Sequence, residues 1–108
     1  MAETSLAGSG IAMLLRLTEE MLALASQGEW DAVREHEAER QAVIQTLPTV
    51  DADIGGVYFD QLQQLLDQNA RIVALALSEK NRIADELRSV RNIAKAEQFY
   101  RQIDNNLE

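Results

Sequence analysis

The chain has no cysteine, one proline, five glycines and one histidine in 108 residues. Without cysteine there is no disulfide, no thiolate metal site and no cysteine nucleophile, a composition that suits a reducing compartment. Aromatic residues are few, at 5%. No apolar run approaches the roughly 18–20 residues needed to span a bilayer. The opening MAETSLAGSGIAMLLRL has no basic stretch ahead of its apolar part, so it reads poorly as a signal peptide. Positive charge is also scarce. A net charge of −8 argues against a protein that neutralises a nucleic-acid backbone.

What remains is rich in Ala, Leu, Glu, Gln and Arg, which favour helix. The length suits one domain with a modest core. Residues 1–8 read as a flexible lead-in, 9–103 as the helical domain and 104–108 as a tail. A first helix is expected from Ser9 or Gly10 to Ser26, since Ile11, Leu14, Leu15, Thr18, Met21, Leu22 and Ala25 keep an i, i+3, i+4 rhythm. Gly28 suits the left-handed residue that closes such a helix. A second helix follows from Glu29 to Leu47, where Pro48 stops it. Trp30, Val33, Glu37, Arg40, Ile44 and Leu47 share one face at heptad spacing. Residues 48–56 read as a loop. A long third helix is expected over 57–90, with a weaker segment over 93–103 that either continues it or turns back. No strand pattern is present, so the fold class is all-α, an antiparallel three- to four-helix bundle with one long third helix.

If the Pro48 loop joins antiparallel helices, facing positions number-sum to about 106 at equal rise per residue. Glu37 then faces Asn69, and the two polar interruptions of the seam can satisfy each other. Trp30 reads as a core anchor, and Glu37–Arg40 as a partly buried pair that fixes register. The first two helices are of similar length, so the third overhangs them by about four turns. Leu77, Ile83, Leu87 and Val90 lie on that overhang. Leaving them wet forfeits roughly 1.5–3 kcal/mol for each large side chain that could be buried. Either the last segment folds back, a second copy docks, or a client helix binds there. Charge is uneven as well. Residues 1–79 carry 4 basic and 13 acidic side chains, whereas 80–102 carry 6 basic and 3 acidic, a polarity able to orient a partner.

Catalytic motifs fail on inspection. His36-Glu37-Ala38-Glu39-Arg40 begins like a zinc-protease helix but has Arg40 where the second histidine belongs. Gly8-Ser9-Gly10 lacks the third glycine and the preceding strand of a dinucleotide fingerprint. No carboxylate pair is marked as an acid–base dyad. No enzymatic activity, cofactor or metal is expected. Phe99 and Tyr100 are late aromatics beside Lys95 and Arg101; they either pack on the long helix or present an aromatic anchor to a partner.

Several stretches together resemble the FliT family of flagellar type III export chaperones. These are Leu22-Ala-Leu-Ala-Ser-Gln-Gly28-Glu29-Trp30-Asp31, Glu37-x-x-Arg40, Ile44-x-x-Leu47, Leu65-Leu66-Asp67-Gln68-Asn69 and Lys95-Ala96-Glu97-Gln98-Phe99-Tyr100-Arg101. The resemblance spans about residues 11–101, carried by order and spacing of the motifs. It implies a cytoplasmic helical bundle that holds the filament-cap protein before export, taking an amphipathic client helix into an apolar groove. It also implies contact with the export ATPase complex and the export gate, with Tyr100, beside Phe99, at the gate. In some members a flagellar transcriptional regulator is a further partner. The client surface expected here is Leu77, Ile83, Leu87 and Val90. A homodimer that buries two such overhangs is the structural alternative, and an anti-activator role is another.

Overall fold

In the computed structural model, which describes residues 2–49 and 51–107, four helices follow in order. They are α1 (Ala2–Ser26), α2 (Trp30–Thr46), α3 (Ala52–Val57) and α4 (Phe59–Leu107). The described residues contain no strand. The chain divides into two units, Met1–Leu75 and Ala76–Glu108.

In the first unit, α1 supplies most of the core. Ile11, Leu14, Leu17, Thr18, Met21 and Ala25 are buried, which is the stripe a 3.6-residue period lays on one side of a helix. Met21 and Ala25 join Val33 of α2 and Ile72 of α4, with Leu22, Leu24, Trp30 and Leu75 packed around them. Trp30 is therefore an anchor of this cluster. The turn between α1 and α2 closes as a Schellman motif. Glu29 N–H donates to the Leu24 carbonyl at 2.9 Å and Gly28 N–H to that of Ala25 at 3.1 Å, with Gly28 at φ +78°. At the far end of α2, Leu47 is extended (φ −71°, ψ 142°), as the residue before a proline must be.

Two boundaries differ from the expectation. The first helix starts at Ala2 rather than at Ser9 or Gly10, so residues 2–8 are helical and not a lead-in. Burial is the reason. Ala7 is buried with Ile11 against Ile54, alongside Leu15, Tyr58 and Leu62. Gly8 and Gly10 lie inside the helix because their neighbours come close. A Cβ on Gly8 would overlap the Tyr58 hydroxyl, and one on Gly10 the Leu47 side chain.

The second difference is α3, which lies in the expected loop. Asp51 caps it, its carboxylate accepting from Ile54 N–H at 2.9 Å. Burying Ile54 contributes about 1.5–3 kcal/mol and the Asp51 cap about 1 kcal/mol, which together offset the roughly 1 kcal/mol each that Gly55 and Gly56 cost in a helix.

The second unit is the C-terminal part of α4. Residues 93–103 continue the helix to Leu107 without a turn. Neither Gly nor Pro occurs after Gly56, so nothing in the chain breaks the hydrogen-bond ladder.

Candidate functional site

Polar residues of the seam come together around Arg40, which is largely buried. Its Nη1 donates to the Asn69 side-chain carbonyl at 3.0 Å and, at 3.4 Å, to the hydroxyl of fully buried Thr18. Its Nη2 pairs with Glu37, whose other oxygen accepts from Gln41 at 2.8 Å. Asn69 is thus met by Arg40, not by Glu37 as the pairing arithmetic had it. The longer guanidinium reaches across, while the Glu37 carboxylate stays on its own helix. Three helices are tied by one cation. Arg40 Nε and Gln68 Oε1 are buried without a hydrogen-bond partner; Glu37 Oε2 has only its ion contact with Arg40.

Beside this network lies an apolar groove of about 450 Å³, lined by Leu14, Ile44, Leu62, Leu65 and Leu66, with Arg40 and Asn69 as its polar members. Leu14 lines it from α1, Ile44 from α2, and the three leucines from α4. Ile44 and Leu66 are exposed. Sequence reasoning missed this groove. Its signal was the doublet Leu65-Leu66, where only one residue of the two can face the core at helical spacing.

The expected client surface lies in the second unit. Leu77, Ile83, Leu87 and Val90 are all exposed, Leu87 by 52% and Val90 by 60%. Ile83, Leu87 and Val90 share one face of α4. Leu77 does not: six residues separate it from Ile83, which places it about 120° round the helix. The expected single surface is therefore a three-residue stripe with Leu77 on a neighbouring flank. A stripe on one helix is convex, whereas the concave site is the groove in the first unit. Phe99 and Tyr100 are also exposed. Their rings meet edge-on at 6.1 Å and 64°, on flanks of α4 other than the Ile83–Val90 face.

Charge on this part of α4 is arranged in i,i+3 and i,i+4 pairs. Arg82 donates to Glu79 at 2.6 Å and also holds Glu86. The Arg82 hydrogen bond keeps the Glu79 carboxyl below its ordinary range. Arg88 pairs with Asp85 at 3.5 Å.

His36 clamps α1 to α2 away from any cluster of metal ligands. Its Nδ1 is 2.9 Å from the Ala32 carbonyl and its Nε2 is 3.0 Å from the Glu20 carboxylate. Both partners accept, so both bonds form only with the imidazolium, which has two N–H donors. The imidazole pKa is raised, chiefly by the Ala32 carbonyl and then by Glu20, against some desolvation. Among the described residues no three His, Asp or Glu side chains are placed to hold a metal ion. No helix there is long and apolar enough to cross a membrane.

The model of a family described as flagellar protein FliT matches residues 9–102. Among solved structures, the crystal structure of flagellar protein FliT from Bordetella bronchiseptica matches with a TM-score of 0.59 and 30% sequence identity. That match covers 70% of this chain and 96% of the other. A search of curated proteins found no match.

Proposed function

This chain belongs to the FliT family of flagellar proteins, and from that premise we propose that it is a cytoplasmic export chaperone without enzymatic activity. It holds the C-terminal region of the filament-cap protein as an amphipathic helix and delivers it to the export apparatus. The observation that carries this reading is the groove lined by Leu14, Ile44, Leu62, Leu65 and Leu66. Its apolar lining, contributed by three helices, suits the helix-in-groove mode, in which residues at i, i+3, i+4 and i+7 of the guest supply the anchors. Arg40 and Asn69 at its side offer polar contacts that fix the register of the guest helix.

The stripe of Ile83, Leu87 and Val90, with Leu77 beside it, is a second docking surface. Its support is exposure, since eight large apolar side chains between Leu77 and Ile103 stand open to solvent, more than scattered surface residues require. Phe99 and Tyr100 serve as the anchor for the export gate.

The test is a titration of the full chain with a peptide from the C-terminus of a filament-cap protein. Ile44→Glu or Leu66→Glu addresses the groove, and Ile83→Glu or Leu87→Glu the stripe. Losing one buried apolar anchor weakens binding about 10- to 100-fold. Unchanged affinity in all four folded variants overturns the proposal. Light scattering with and without the peptide separates it from a homodimer without a client. A pull-down with the flagellar regulator tests the anti-activator reading.

A further inference from the structure

We propose that the C-terminal part of α4 docks an amphipathic helix whose apolar stripe is edged with carboxylates, and that Lys80, Arg91 and Lys95 select it by charge. The proposal rests on the reading of Ile83, Leu87 and Val90 as a docking surface and adds the chemistry of what docks there. At about 100° per residue, Ile83, Leu87, Val90 and Ala94 form one seam along the helix. Glu79, Glu86, Glu97 and Asp104 lie on one side of that seam, about 40–60° from Ile83. Lys80, Arg88, Arg91 and Lys95 lie on the other, about 60–140° away. The seam thus has an acidic edge and a basic edge.

The two edges differ in what is already paired. On the acidic edge, Arg82 holds both Glu79 and Glu86. On the basic edge, no carboxylate among the described residues forms an ion pair with Lys80, Arg91 or Lys95, and Arg88 has only the 3.5 Å contact with Asp85. Arg91 is also flanked by Arg88 at i−3 and Lys95 at i+4, a like-charge arrangement that destabilises a solvated helix. Carboxylates laid along this edge relieve the repulsion while the apolar face beside them covers Ile83, Leu87 and Val90. A nucleic acid meets the charge but leaves the seam wet. The same helix of a second copy offers Glu79 and Glu86 already held by Arg82, which leaves only Glu97 and Asp104, seven residues apart, to meet the basic edge.

The experiment uses the full chain and two synthetic helical peptides with the same apolar spacing, one edged with Glu and one with Lys. Binding is followed by fluorescence anisotropy at about 0.05 M and 0.5 M salt, with helix content checked by circular dichroism. The Glu-edged peptide is expected to bind about tenfold more tightly at low salt, as three exposed ion pairs allow. High salt removes that preference, and Arg91→Glu with Lys95→Glu reverses it. Equal binding of both peptides, lost in Leu87→Glu, overturns the charge selection while leaving the docking surface in place. No binding of either peptide, with Leu87→Glu without effect, overturns both. A dimer that excludes the peptides and is dissolved by Leu87→Glu overturns the proposal in favour of a second copy.

Discussion

Gly28 is the position where backbone conformation alone sets the stability of the α1–α2 hairpin. Its φ of +78° lies in the left-handed region, yet a Cβ added there would meet nothing within 4 Å. Gly28→Ala therefore isolates the conformational cost from any steric one. An L-residue pays about 1–2 kcal/mol in this region. The alanine recovers about 0.4–1 kcal/mol because its unfolded chain has fewer conformations to lose. The net is a destabilisation of about 1 kcal/mol, which lowers Tm by about 4–8 °C in a domain near this size. Gly28→Asn is expected to fall between, since asparagine tolerates the left-handed region better than alanine.

Gly56 is the internal control. It also has open space around its Cβ, but its φ is ordinary and it sits in α3, so Gly56→Ala should stabilise by about 0.5–1 kcal/mol. The measurement is urea unfolding of the three variants, followed by circular dichroism. A Gly28→Ala protein as stable as the parent, or a Gly56→Ala protein equally destabilised, would refute the reasoning.

Further outcomes follow from the polar contacts. The folded His36 imidazole has a pKa raised above 6.5, so its contribution to stability is fully present below about 6.5 and is lost as pH rises through the folded value. Unfolding free energy measured across that window should decline in the parent and stay flatter in His36→Gln or Glu20→Gln. The groups facing the imidazole are Glu20 from α1 and Glu39 from its own helix. Arg40→Met leaves the Glu37 carboxylate without its cation and Thr18 without its donor. It should cost about 2 kcal/mol, and adding Glu37→Leu should recover part of that loss in a double-mutant cycle.

Much of the architecture was legible in the chain because it rests on local rules. Gly28 marked the hairpin and Pro48 the end of α2. The absence of any breaker after Gly56 marked the long helix, although pattern alone left open whether it turned back after Val90. Two errors have one physical origin. Gly8, Gly10, Gly55 and Gly56 read as breakers, yet all four lie in helices, because Ala7 and Ile54 are buried together and that contact outweighs propensity. Tertiary packing of this kind leaves no periodic mark. The groove was hidden for a related reason. It is lined by Leu14 of α1, Ile44 of α2 and Leu66 of α4 together, and the spacing between helices is not written in any one of them. Leu77 is exposed like Ile83, Leu87 and Val90, but rotation round the helix sets it on a flank of their stripe.

The uninterrupted run of α4 has a consequence for measurement in time rather than in affinity. Every described side chain from 80 to 106 is exposed, so the backbone hydrogen bonds of this stretch open with little of the packing energy that holds a core helix closed. Its amides should exchange with deuterium early, and proteases should cut there first. A partner seated on it would slow both. The same stretch therefore reports its own occupancy, and the order in which amides become protected traces the footprint of whatever binds.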